Sequence, residues 1–189
     1  MSSDVIKKEI AYFMRRLYRQ RLTTTSGGNI SVRDGELVYI TPSGLDKGRI
    51  TATQIGVLDM EGKQVGEGFK PSIESGMHLE IYRRRPDITA VVHAHPPTAC
   101  AFAASGTKIN TRIASESYAI LDHVIMAGYA LMGTPELADL TAGAATQANC
   151  VLMRNHGALA LGKTLLEAFD RLEVLENAAL ININLRLLG

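Results

Sequence analysis

Ile6, Ile10, Phe13, Met14 and Leu17 recur at helical spacing and predict an amphipathic helix over residues 4–21. Arg15, Arg16, Arg19 and Arg21 then fall mostly on the opposite, solvated side. The pattern changes at residues 23–29, a run of small polar side chains that predicts a loop. Two short alternating runs, 30–32 and 37–40, flank Asp34-Gly35, a strong hairpin signal. A second hairpin is predicted around Glu61-Gly62, between 56–60 and 64–65.

Downstream, Ser72 has the character of an N-cap, opening a helix that carries Met77 and Tyr82 and stops at Pro86. Residues 88–93 form an apolar run that predicts a buried strand, and Pro96-Pro97 breaks it. Helices are expected over 98–104 and 135–145. Residues 151–154 predict a strand entering Asn155-His156-Gly157, and 159–161 continue beyond it. Thr164 and Glu167 form a capping box that starts a long C-terminal helix, with Phe169, Leu172, Leu175 and Ala179 on one face. No repeat or long linker divides residues 1–189, so one α/β domain is expected. Its hairpins make the sheet mixed or antiparallel rather than doubly wound.

Composition narrows the function without choosing it. Of 189 residues, 46% are hydrophobic and 21% charged, which fits a packed core. Twenty basic side chains against nineteen acidic ones give a formal charge of +1, leaving no basic surplus for nucleic acid. The two cysteines, Cys100 and Cys150, stand in no CxxC motif and read as buried free thiols. No run approaches the ~20 apolar residues of a membrane span, and no signal-like segment opens the chain. A soluble, cytoplasmic protein is the expectation.

The chemistry concentrates in His93-Ala94-His95. In a strand, residues i and i+2 point to one face, so the two imidazoles can converge on one ion. His156 follows another strand, with Gly157 giving the backbone room to turn. Three histidines and an open position form the ligand set of a catalytic zinc site, although iron, cobalt or manganese could occupy it. His78 and His123 read as ordinary core or surface histidines, His78 being placed to buttress Glu74. Glu74 is expected in the first turn of the helix after Ser72. There it is either a local electrostatic partner of the helix dipole or a general base and acid beside the metal. Residues 26–29 (SGGN), 41–44 (TPSG) and Ser72 are each ordinary turns or caps taken singly. Three such groups beside a metal set point to an anionic, phosphorylated substrate.

SGGNISV, ITPSG, PSIESGMHLEIYRRRPDITAVVHAH and NHGALALGK, in this order along nearly the whole chain, resemble the class II aldolase/adducin family. The likeness is greatest to the branch that cleaves L-fuculose 1-phosphate. The resemblance implies a three-layer α/β/α fold with a central mixed or antiparallel sheet. It implies one Zn²⁺ per subunit on His93, His95 and His156, Glu74 as acid/base, and phosphate contacts from Gly28, Asn29, Ser43, Gly44 and Ser72. It also implies a homotetramer with interface active sites. The activity would be an aldehyde-lyase step of carbohydrate metabolism, cleaving a ketose 1-phosphate to dihydroxyacetone phosphate and a small aldehyde such as lactaldehyde.

The chain departs from the family pattern in places. Ile73 stands where the aldolases often have a second serine, and Glu74 stands where related 4-epimerases carry Asp. A tail tyrosine used by the fuculose phosphate enzymes has no counterpart in these residues. Tyr118 or Glu116 lies near the position of a second catalytic group supplied by a neighbouring subunit. Rival activities within the fold are a 5-deoxyribulose 1-phosphate aldolase, a methylthioribulose-1-phosphate dehydratase and a sugar-acid phosphate decarboxylase. A non-catalytic, adducin-like module would have no need of all three histidines and Glu74.

Overall fold

The computed structural model describes residues 2–66 and 68–189. The first helix, α1 (Ser3–Arg19), buries Ile6, Ile10, Phe13, Met14 and Leu17, the stripe expected from the spacing. Each such side chain, fully buried, contributes about 1.5–3 kcal/mol. Strands β1 (Asn29–Asp34) and β2 (Leu37–Ile40) form the hairpin at Asp34-Gly35. β3 (Gly56–Asp59) pairs with β2, and a single bridge from Leu58 to Gln64 is what remains of the second predicted hairpin.

Helix α2 (Ser75–Arg84) precedes β4 (Ala90–Ala94) and α3 (Pro97–Ser105). A short helix α4 (Ser115–Leu121), strand β5 (Ile125–Ala127) and helix α5 (Pro135–Ala145) follow. The chain then forms the hairpin of β6 (Cys150–Met153) and β7 (Gly157–Gly162), and finally α6 (Leu165–Leu188). Thr164 caps α6 by accepting from the Glu167 amide, a contact of about 1 kcal/mol.

The seven strands form one sheet in the order β3-β2-β1-β4-β7-β6-β5. Every pairing is antiparallel except β5 with β6. Two apolar clusters lie on its faces. Ala90, Val92 and Ala94 of β4 pack with α1, α3, α4 and α6, whereas Val91 packs with α2 and α5. The three layers α/β/α follow from this. β4 sits at the centre and is buried on both faces, which is why it reads as a continuous apolar run instead of an alternation. Alternation along β4 puts His93 on the Val91 face, the side of α2.

Two expectations need correction. Ser72 does not cap α2: the helix begins at Ser75, and Glu74 occupies the N-cap position with φ −98° and ψ 8°. Ser72 instead makes a local turn, its Oγ accepting from the Glu74 amide at 3.3 Å and its carbonyl accepting from the Ser75 amide at 3.0 Å. Glu74 is therefore outside the first helical turn, and its carboxylate turns inward. Residues 111–129, which carry no clear apolar period, hold α4 and the edge strand β5, neither of which was expected.

Candidate metal centre

The centre lies at the end of β4. His93 is the fourth residue of that strand and is fully buried, and His95 follows just beyond its end. His156 comes from the β6–β7 turn, where Asn155 takes a positive φ of 53°. Because β7 pairs with both β4 and β6, the turn is delivered beside the end of β4. The ring centroids of His93 and His95 are 4.9 Å apart, those of His93 and His156 5.0 Å, and those of His95 and His156 5.5 Å. One nitrogen from each ring lies within 4.8 Å of the others.

Glycine makes this convergence possible. A Cβ on Gly157 would come within 2.6 Å of His95 Cδ2, 2.7 Å of the Ala94 carbonyl and 3.1 Å of His93 Cε1. Gly28, at φ +67°, would likewise drive a Cβ to 2.8 Å from the His93 carbonyl.

Hydrogen bonding shows which nitrogens are free. His93 Nδ1 donates to the Ala158 carbonyl at 2.9 Å, so Nε2 carries the lone pair. The Nε2 atoms of His93, His95 and His156 are all buried without a hydrogen-bond partner, and so is Oε1 of Glu74. Four buried polar atoms without a hydrogen-bond partner in one place cost free energy unless something positive sits among them. Three imidazole nitrogens with a carboxylate alongside are a donor set suited to a divalent cation.

Glu74 is 5% exposed. Its Oε2 accepts from Asn29 Nδ2 at 2.7 Å and lies 3.4 Å from His93 Nε2, and its Oε1 lies 3.1 Å from His156 Nε2. Burial pushes its carboxyl up, but His93, His156 and the Asn29 amide outweigh that and hold it well below the usual carboxylate range. Burial also lowers His93, and lowers His95 to about 4. A cation bound among the three rings would set a positive charge directly against this carboxylate.

The polar loops divide into two groups. Asn29 and Ser72 meet at 3.1 Å beside Glu74, and Gly28 precedes Asn29. Ser43 and Gly44 lie on the next loop, where Ser43 lines a cleft of about 580 Å³ with Lys7 and Lys70. Lys47 joins the two loops, and sequence reasoning missed it. It is 2% exposed, its Nζ donates to the Pro42 carbonyl at 2.6 Å, and its amide donates to the Thr25 carbonyl at 2.8 Å. Burial lowers it to about 8. A second cleft, of about 410 Å³, opens beside Glu74 between α2 and α5, with Ile73 and Leu137 in its wall.

Tyr118 and Glu116 are not brought to the histidines within the chain. Both are exposed on α4, which packs on the α6 side of the sheet, opposite Glu74. Tyr118 is covered instead by the Arg112 guanidinium, 5.4 Å from its ring. His123 is a surface residue, as expected, between Asp122 and the Gln147 carbonyl. His78 is more than a buttress on α2: it is wholly buried and contacts both Asn29 and Ser31.

The chain matches the model of the Class II Aldolase and Adducin N-terminal domain over residues 8–183. It is 36% identical to an L-fuculose phosphate aldolase of Methanococcus maripaludis, covering 92% of this chain and 94% of that one. A 3-oxo-tetronate 4-phosphate decarboxylase of Haemophilus influenzae is 34% identical over 94% of this chain and 87% of its own length. A solved L-fuculose 1-phosphate aldolase superposes with a TM-score of 0.92 at 36% identity, covering 100% of this chain and 90% of that one.

Proposed function

Because this chain belongs to the class II aldolase and adducin N-terminal domain family, we propose that it reversibly cleaves a ketose 1-phosphate to dihydroxyacetone phosphate and a small aldehyde. L-fuculose 1-phosphate, giving lactaldehyde, is the substrate we assign, because a relative and a solved structure, each 36% identical, are named as aldolases of that sugar phosphate. One observation carries the proposal: the free Oε1 of Glu74 stands beside three unpartnered imidazole nitrogens.

His93, His95 and His156 would hold one Zn²⁺ per chain through Nε2. When bound, the ion supplies Lewis-acid stabilisation of negative charge developing on a substrate oxygen. Glu74 Oε1 takes the proton from the reacting carbon of dihydroxyacetone phosphate and returns it in the cleavage direction. Asn29 fixes the other carboxylate oxygen, so the proton-carrying atom is defined. The Gly28 and Ser72 side of the site, with the Ser43–Gly44 loop beyond it, binds the phosphate. The chain acts as a single domain over residues 1–189.

A second acid, needed at the aldehyde oxygen, comes from Tyr118 or Glu116 of a neighbouring copy in a cytoplasmic homotetramer. Supporting this, Ile73, Tyr118, Tyr129, Leu131 and Met132 are exposed by 55%, 49%, 58%, 67% and 52%. Ile73 is also the observation that favours a second reading. It puts an apolar side chain where a phosphate hydroxyl often stands, and a relative 34% identical is a sugar-acid phosphate decarboxylase.

The test is to incubate zinc-loaded protein with dihydroxyacetone phosphate and a panel of aldehydes and identify the products. An aldol product with lactaldehyde is expected. No aldol product, with release of CO₂ from a 3-oxo-tetronate 4-phosphate or dehydration of methylthioribulose 1-phosphate, would overturn the proposal.

A further inference from the structure

Behind Glu74 runs a chain of buried polar groups that proton abstraction does not itself require. Tyr82, Ser31 and His78 are each 0% exposed, and Asn29 is 3% exposed. Tyr82 Oη meets Ser31 Oγ at 2.8 Å, and Ser31 Oγ meets His78 Nδ1 at 2.7 Å. His78 Nε2 meets Asn29 Oδ1, and Asn29 Nδ2 meets Glu74 Oε2 at 2.7 Å and Ser72 Oγ at 3.1 Å.

The direction of every hydrogen in this chain follows from one end. Glu74 as a carboxylate can only accept, so the Asn29 amide must point its NH₂ at Oε2 and its carbonyl at His78. The carbonyl in turn requires a donor, so His78 carries its proton on Nε2 and leaves Nδ1 as an acceptor. Ser31 has one hydroxyl proton. It gives that proton to Nδ1 and accepts from Tyr82, a phenol that burial keeps protonated. All the donors point toward Glu74, so each bond polarises the next.

We propose that His78 is a positioning residue that, as its neutral Nε2–H tautomer, locks the Asn29 amide and thereby ties down Glu74 Oε2 while leaving Oε1 free for proton transfer. The proposal rests on the reading of Glu74 as acid/base and extends it to a residue that touches neither substrate nor metal ligand. Without the His78 donor the Asn29 amide can turn over, presenting its carbonyl to the carboxylate. Glu74 then loses its fixed orientation. The fold supplies the register for this: Asn29 and Ser31 are i and i+2 on β1, facing α2, where His78 and Tyr82 are one turn apart.

Two measurements on the full zinc-loaded chain test it. Side-chain ¹⁵N NMR is expected to show His78 neutral, protonated at Nε2 and bare at Nδ1. A proton on Nδ1 would overturn the relay. Deuterium exchange from solvent into dihydroxyacetone phosphate then reads Glu74 directly. His78→Leu is expected to keep its zinc and slow exchange by about 10–100-fold, the usual effect of losing a group that orients a catalytic one. His78→Gln, which keeps an N–H near the Nε2 position, is expected to recover most of the rate. Wild-type exchange in a zinc-bound His78→Leu protein, or a His78→Gln protein no faster than His78→Leu, would overturn the role. Exchange in the unsubstituted protein that Glu74→Gln leaves unchanged would instead break the reading of Glu74, while the tautomer still decides the direction of the relay.

Discussion

Asn29 and His93 are direct partners in the antiparallel ladder between β1 and β4. That single register brings a side-chain amide from the SGGN loop beside an imidazole on the central strand. Glu74, from the start of α2, closes the triangle: 2.7 Å from the Asn29 amide and 3.4 Å from His93 Nε2. A one-residue slip of β1 would send Asn29 to the other face and dismantle the site.

Asn29→Leu is therefore expected to retain metal and lower turnover by about 10–100-fold, because Glu74 loses the donor that orients it. Steady-state kinetics alongside zinc analysis check this. Loss of zinc in the variant would show that Asn29 serves the metal ligands instead.

Glu74→Gln keeps the shape of the side chain and removes the base. Zinc content should hold while turnover falls by roughly 10²–10⁴-fold, the range for general acid–base catalysis. Unchanged turnover would take Glu74 out of the chemistry.

The glycine after His156 is required for space. In Gly157→Ala the new Cβ would press on His95 Cδ2 at 2.6 Å and on the Ala94 carbonyl at 2.7 Å. The carbonyl belongs to β4 and cannot yield cheaply, so the His95 ring must move. Zinc affinity should fall by about 10–100-fold, measured by competition with a chelating dye. Wild-type affinity would mean that the turn absorbs the methyl elsewhere.

Metal-free protein should be acid-sensitive in a defined window. Burial lowers His78 to about 3, and burial with the neighbouring imidazoles lowers His95 to about 4, both from the ordinary imidazole value of 6.5. Both are depressed in the fold, so below pH 6.5 the unfolded chain binds protons that the native chain refuses. Stability is then full above 6.5 and falls as the pH drops toward 4, by up to about 1.4 kcal/mol per pH unit for each histidine. Urea unfolding at pH 7.5 and 5 reads the difference. His78→Gln should reduce the slope, and a flat profile between the two pH values would contradict it.

Much of this was legible in the residues, for identifiable reasons. The i, i+2 spacing of His93 and His95 on an apolar strand is a local geometric fact, and it survives folding. The stripe on α1 and the cap at Thr164 are local in the same sense. Ser72 was misread because its hydroxyl suits an N-cap and an isolated turn equally well. What decided between them was the inward pull of Asn29 on Glu74, a contact 45 residues distant in the chain. α4 and β5 were missed because a seven-residue helix and a three-residue edge strand carry too little period to detect. Lys47 gave no signal, because a buried lysine held by a carbonyl depends on tertiary contacts alone; the spacing from Glu74 hinted at His78 as a buttress, but its bonds to Asn29 and Ser31 across the sheet are tertiary.

The most direct test of the central claim is the zinc content of the purified chain and of His95→Ala, measured by mass spectrometry after dialysis. One zinc per chain in the unsubstituted protein and none in the variant is predicted. Stoichiometric zinc retained by His95→Ala would contradict the three-histidine centre.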